Sequence, residues 1–203
     1  MLASDIAETA KKLKIPMVFF TPLYPIKTEQ KIENFRQVVT ETVKTPEELG
    51  FEKINEVAIQ TINNGVITPT SIEIQKIQDG SIAFISPYEP NLGKLYQGAS
   101  DSDHRIYQED VLGMGGNAAK QNMGIEPPVY LLNEAPTVFF ALAELDALTT
   151  KTGNVTEALK ILRAKTIYTN HTLVQAVEAE FSRGQFEQFI IPNLANESIK
   201  RWV

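Results

Sequence analysis

The chain has 203 residues, 43% of them hydrophobic, enough for one large domain or a domain and a half with a packed core. Its 19 Lys and Arg against 25 Asp and Glu leave a net charge of -6, and no segment gathers basic residues with interleaved aromatics, which argues against nucleic acid as a partner. The lack of any cysteine excludes disulfides, thiolate metal sites and cysteine nucleophiles, and it suits a reducing compartment, with the cytoplasm as default.

The first segment, "MLASDIAETAKKLKIP", carries acids and lysines where a signal peptide or membrane span needs an uninterrupted apolar core, and no later run is long enough to span a bilayer. Ser4 or Asp5 is placed to cap a helix with Ile6, Ala10 and Leu13 on one face. Pro16 ends that helix before "MVFF", Met17 to Phe20, which reads as a buried strand closed by Thr21 and Pro22. The following "LYPIKTEQKIENFRQVV" mixes periods and specifies no element.

"TPEELG", Thr45 to Gly50, has a capping Thr, Pro at the first helical position, Glu three residues after the cap and a closing Gly: one helical turn. Then "NEVAIQTI", "SIEIQKI" and "SIAFIS", separated by Asn63-Asn64-Gly65 and Asp79-Gly80, alternate as a three-stranded antiparallel meander. From Asp103 the period becomes helical up to Gly124. Pro127 and Pro128 precede the strand "VYLLN", Pro136 opens a helix through "TVFFALAELDAL", and Asn154 with Glu157 caps "VTEALKILRA". "KTIYTN" reads as a second buried strand leading into a helix, which Thr172 and Gln175 would cap.

This alternation predicts an α/β fold: a Rossmann-like parallel sheet with flanking helices and a β-meander insertion at about residues 55–86, in one domain over 1–203. Ligands of such sheets bind at the carboxyl ends of the strands, which selects Thr21 to Tyr24, Asn133 to Pro136 and Asn170 to Thr172.

His171, at the lip of the sheet, can exchange hydrogen bonds with a hydroxylated ligand or simply bond a neighbouring loop carbonyl. Asn133 and Glu134 suit sugar hydroxyls, with Glu134 able to hold a proton near an oxocarbenium-like centre, or they cap the helix near Pro136 and favour its dipole. "GMGG", Gly113 to Gly116, lies inside a helical pattern with no strand before it and no Lys-Ser/Thr after it, so it reads as close helix packing, not a phosphate loop. His104, Arg105, Gln108 and Glu109 read as a solvated or ion-paired helix face, and two separated histidines predict no metal site.

Four segments, in order, resemble the glycogen, starch and maltodextrin phosphorylases: "LASDIAETAKKLKIPMVFFTPLY", "LYQGASDSDHRIYQEDVLGMGG", "GIEPPVYLLNEAPTVFFALAEL" and "YTNHTLVQAVEAEF". Together they cover about two thirds of the chain. The resemblance implies the N-terminal half of a GT-B glycosyltransferase, in a family that cleaves α-1,4-glucan with phosphate to glucose 1-phosphate using lysine-linked pyridoxal phosphate. It places His171 against the hexose, Asn133 and Glu134 along the cleft and Asn91 in the gating loop, with α-glucan or a maltooligosaccharide as ligand.

The same resemblance assigns the pyridoxal lysine and the phosphate-binding Arg and Lys to a C-terminal domain beyond Val203, so no cofactor site and no complete catalytic set are expected in this chain. It also sets Met1 after the Gly-rich loop that precedes "LA-D". Within the matched blocks the family's His after "VY" is Leu131, its Gly-His is Ala135-Pro136, and the loop between Asn91 and Leu95 is short. Losing two polar cleft groups weakens sugar recognition.

Two functions follow. One is a carbohydrate-binding half-domain, inactive in turnover until a C-terminal domain or companion chain completes it. The other is a degenerate domain kept as an interaction or regulatory module, with homodimer formation through the face that the absent half would cover. A nucleotide-sugar glycosyltransferase half shares the architecture but keeps its donor-binding residues in the other domain.

Overall fold

A computed structural model describes residues 2–95, 102–171 and 180–203. The chain divides into two compact units, Met1–Glu56 with Glu73–Gln97, and Val57–Ile72 with Gly98–Val203. Parallel and antiparallel strands alternate with helices in a mixed α/β fold.

In the first unit, α1 (Leu2–Lys12) starts ahead of the expected caps, so Asp5 lies in its first turn, where a carboxylate meets the positive end of the helix. Lys14 turns to φ 56 just beyond. The helix therefore ends one residue short of Leu13, which is 65% exposed, while Ala10 is buried. Strand β1 (Met17–Phe20) runs parallel to β6 (Ile82–Tyr88), and Phe19 stacks on its register partner Phe84 at 5.0 Å. Because β1 ends the sheet order, Val18 is exposed, and the strand is half-buried where apolar content alone predicted full burial.

The meander forms as β4 (Glu52–Asn63), β5 (Val66–Asp79) and β6, with β5 antiparallel to β6, and the whole sheet has the order β1-β6-β5-β4. Its turns follow the sequence: Asn64 at φ 50 and Gly65 at φ 76 join β4 to β5. The predicted "TPEELG" turn is a 3-10 helix at Glu47–Leu49, where the Thr45 N–H donates to the Glu48 carboxylate at 2.9 Å and the Glu48 N–H to Thr45 Oγ1 at 3.3 Å. The segment without a clear period is a hairpin, β2 (Ile26–Glu33) with β3 (Arg36–Val43), closed by Asn34 and Phe35 at φ 49 and 61.

In the second unit, α2 (Ser102–Asp110) continues through a π-helical turn at Val111–Gly115 into α3 (Gly116–Asn122). Strand β7 (Tyr130–Asn133) leads through a 3-10 turn at Ala135–Thr137 to α4 (Val138–Thr152) and α5 (Val155–Lys165), which Asn154 caps by accepting the Glu157 N–H at 3.1 Å. Strand β8 (Thr166–Thr169) pairs in parallel with β7, and α6 (Arg183–Gln185) and α7 (Glu197–Lys200) close the chain. The strands expected in one parallel sheet are thus divided among the described residues: β1 joins the meander, and β7 with β8 forms a separate pair. Ile167 and Tyr168 are about half exposed, at 55% and 53%, so β8 is not the buried strand its apolar residues suggested.

The glycine run packs as its helical context predicts. A Cβ on Gly113 would fall 2.4 Å from the Phe139 Cβ and 2.7 Å from the Phe140 nitrogen, so only glycine lets the π-helical turn meet α4 this closely.

Buried polar groups tie the helices together. Lys120 Nζ lies 2.6 Å from Glu144, whose carboxylate also accepts from Tyr130 at 2.7 Å and Asn117 at 2.9 Å. Asp110 is wholly buried, with one oxygen 3.4 Å from the Asn193 amide and the other without a partner. Burial pushes its carboxyl well above the ordinary aspartate range. The folded state therefore holds a proton that the unfolded chain releases above about pH 4, and stability falls as pH rises from there toward the raised value. An Asp110→Asn variant is expected to be more stable at pH 7 by about 1–3 kcal/mol, the advantage shrinking toward pH 4 in urea titrations.

Candidate functional site

Strands β7 and β8 pair with Tyr130 opposite Thr166 and Asn133 opposite Thr169, so both strands end at the same border. Asn133, Asn170 and His171 are exposed there and Glu134 is half-buried. The backbone of Glu134 holds φ 67 and ψ 167, a conformation that glycine adopts freely and other residues reach at a cost of about 1–3 kcal/mol. Its surroundings enforce it: the Glu134 N–H donates to Thr169 O at 2.8 Å, and Thr137 Oγ1 donates to Glu134 O at 2.7 Å. The Glu134 carboxylate, in turn, accepts the His171 N–H at 2.8 Å, clamping the exit of β8 to the exit of β7.

Neither acts as the helix cap that the sequence left open: no side chain caps the 3-10 turn after Glu134. Asn133 Oδ1 accepts instead from Thr169 Oγ1 at 3.2 Å. The second Glu134 oxygen, the Asn133 amide N–H groups and the His171 ring accept or donate no hydrogen bond within the described residues. This combination of acceptor, donor and imidazole suits a neutral polyhydroxylated ligand. Thr169 and Thr137, which hold the rim in place, were not singled out from the sequence. Thr169 was visible only as part of "YTNHT", and Thr137 gave no signal. Thr172, Gln175 and the helix expected after them lie outside the described residues.

Asn91 belongs to the first unit, where Glu89 accepts from its backbone N–H at 2.9 Å and its side-chain amide at 2.7 Å. His104 Nε2 lies 3.3 Å from Gln108 Nε2, and Arg105 donates to Glu109 at 2.6 Å. Burial raises the Glu109 carboxyl above its ordinary range and Arg105 pulls it back in part, the behaviour of an ion-paired helix face. Among the described residues no group of three or more His, Asp or Glu is placed to hold a metal, and no helix is long and apolar enough to cross a membrane. A cavity of about 390 Å³ in the second unit is lined by Ala58, Met114, Asn117, Gln121, Ala147 and Asn193 among others, and not by the rim residues.

No family model matches the chain. Over an alignment of 209 residues, covering 93% of the chain, it is 30% identical to the maltodextrin phosphorylase of Thermococcus litoralis, of which it covers 24%. It is 31% identical over 103 residues, 48% of the chain, to the glycogen phosphorylases of Mycobacterium tuberculosis and Mycobacterium bovis, covering 12% of each. The chain is thus related to these phosphorylases in sequence and spans at most about a quarter of their length.

Proposed function

We propose, from the relationship to maltodextrin and glycogen phosphorylases, that the chain supplies the sugar-reading part of an α-glucan phosphorylase-type site. Asn133, Glu134 and His171 meet the hydroxyls of a glucose unit in an α-1,4-glucan or maltooligosaccharide. The observation that carries this reading is the strained backbone at Glu134, held by bonds from both strand ends beside exposed donors and acceptors. Strain maintained against its cost at a polar rim is a mark of a binding site.

Phosphorolysis to glucose 1-phosphate needs more than this rim. The family resemblance implies pyridoxal phosphate, and the buried lysine of the described residues does not fit it. The buried lysine among them, Lys120, is 3% exposed and held by Glu144 and Tyr130, whereas a Schiff-base lysine must reach its carbonyl. On this reading the rim contributes sugar binding to phosphorolysis, and the cofactor chemistry is supplied by another domain or a companion chain.

Titrating the chain with maltotetraose while following the amide and imidazole resonances of Asn133 and His171 tests the reading. Saturable shifts are expected, weakened about tenfold or more by Glu134→Ala or Asn133→Ala, with cellobiose inert. Unmoved resonances at tens of millimolar maltotetraose, on the order of the weakest measurable binding, would sink it.

A second reading rests on Leu131, 43% exposed, opposite Ile167, 55% exposed, on the same face of the strand pair as Asn133. An apolar pair beside the rim favours a degenerate domain that serves as an interaction module. A stable protein partner without any sugar binding would select it.

A further inference from the structure

Two hairpins close through asparagine in the left-handed region of backbone space. Asn34 at φ 49 and Phe35 at φ 61 join β2 to β3, and Asn64 at φ 50 and Gly65 at φ 76 join β4 to β5. All four turn residues are exposed, and neither asparagine side chain makes a hydrogen bond among the described residues. The backbones are thus alike, and the residue after the asparagine differs. A main-chain nitrogen can attack the carboxamide carbon of the asparagine before it, and a side chain on the attacking residue obstructs the approach. Phe35 carries such a side chain. Gly65 has none, a Cβ placed on it would meet no atom beyond its chain neighbours within 4 Å, and of the chain's 11 glycines it is the one preceded by asparagine.

We propose that Asn64 is a site of spontaneous covalent modification, deamidating through a cyclic imide formed with Gly65. The Gly65 nitrogen bonds to Asn64 Cγ, the Cγ–Nδ2 bond breaks, and the leaving nitrogen departs as ammonia with the proton of the Gly65 N–H. Water then opens the ring. Opening at the side-chain carbonyl gives aspartate, and opening at the main-chain carbonyl gives isoaspartate, whose backbone runs through Cβ and Cγ. The sum is carboxamide plus water to carboxylate plus ammonium, so solvent is the sole co-reactant and nothing is oxidised or reduced. The chemistry is independent of the sugar-binding reading.

Ring closure requires the turn to open so that the Gly65 nitrogen swings onto the side chain. The end of this hairpin permits it, because Val66, Ile67, Thr68 and Pro69 are exposed along with the turn, and local opening is cheapest where the backbone lies outside the packed core. Asp79-Gly80 can close the same ring but is restrained. Lys11 Nζ holds its two carboxylate oxygens at 2.7 and 2.6 Å, and a carboxylate is a poorer electrophile than a carboxamide. At Asn64 either product adds a negative charge. Isoaspartate also lengthens the main chain within the turn that fixes the register of β4 on β5, the same β4 whose Gln60 is bonded by Asn193.

Incubating the full chain in mildly alkaline buffer and mapping its peptides by mass at intervals tests the proposal, with isoaspartate read by enzymatic methylation. Conversion at Asn64 is expected to run about tenfold or more faster than at Asn34, a barrier difference of about 1.4 kcal/mol. Phe35→Gly suits the positive φ of its position and should bring Asn34 to within a few-fold of the Asn64 rate. Asn64→Gly suits its own positive φ and should abolish the fast product while the circular dichroism of the fold is retained. Asn64 converting no faster than Asn34, conversion seen only after unfolding in urea, or an Asn34 that stays slow in Phe35→Gly would each overturn the proposal.

Discussion

The Lys120→Met variant is expected to lose about 3–5 kcal/mol of folding stability at pH 7, read from urea unfolding midpoints. Lys120 and Glu144 are 3% and 5% exposed and 2.6 Å apart. Burial by itself raises the Glu144 carboxyl, but hydrogen bonds from Lys120, Tyr130 and Asn117 outweigh it and leave the group below its ordinary range. Taking the lysine away strands a carboxylate that only two neutral groups then satisfy. The double variant Lys120→Met/Glu144→Leu removes both charges together and should regain most of the loss, because replacing a buried ion pair by apolar residues is often neutral.

The sign with pH follows from the same shift. A carboxyl depressed in the folded state contributes stability above its unfolded value of about 4.3, and that contribution disappears as pH falls through the folded value. The deficit of Lys120→Met should accordingly shrink between pH 5 and pH 3. Tyr130 behaves differently: burial first, and then the neighbouring Glu144, push its hydroxyl far up, so it remains a donor to Glu144 across the acid range. A deficit independent of pH would show that Lys120 stabilises by packing alone.

Gly113→Ala is the second large effect, expected to cost about 3 kcal/mol, at the upper end of the range for overpacked cores. The added methyl would meet the Cβ and backbone of Phe139 and the nitrogen of Phe140, so relief requires moving α4 as a body. Gly115 supplies the control two residues away. A methyl there finds Ile59 and Ile72 at 3.8 and 3.9 Å, ordinary contact distance, and Gly115→Ala should be neutral or slightly stabilising through its better helix propensity. Thermal unfolding of the two variants side by side separates close approach from a general dislike of bulk.

Much of the local structure was legible because short-range chemistry specifies it. The reciprocal bonds of Thr45 and Glu48, the Asn64-Gly65 turn and the Asn154 cap each depend on residues at most three positions apart. The β2–β3 hairpin was hidden because its turn uses Phe35 at φ 61, where the recognisable signal is glycine, and because its strands are mostly polar. Burial of β8 was misjudged for another reason: apolar residues record what a strand can cover, and not whether anything covers it, as exposed Ile167 and Tyr168 show.

The partners of strands were the least legible. Met17 to Phe20 and Tyr130 to Asn133 look alike in sequence, yet one pairs with β6 and the other with β8, a choice made by residues far along the chain. At the rim, the position of Asn133 and Glu134 at a strand end could be read. The positive φ of Glu134 and its bond to His171 could not, since they arise from Thr137 and Thr169 acting from either side.

Asn193 closes the border of β4 at Gln60. Its carboxamide oxygen accepts from the Gln60 N–H at 2.6 Å and its amide donates to Gln60 O at 2.9 Å, so one side chain imitates the peptide of an adjoining strand. A plug of this kind satisfies the terminal strand at Gln60 and denies that position to an added strand.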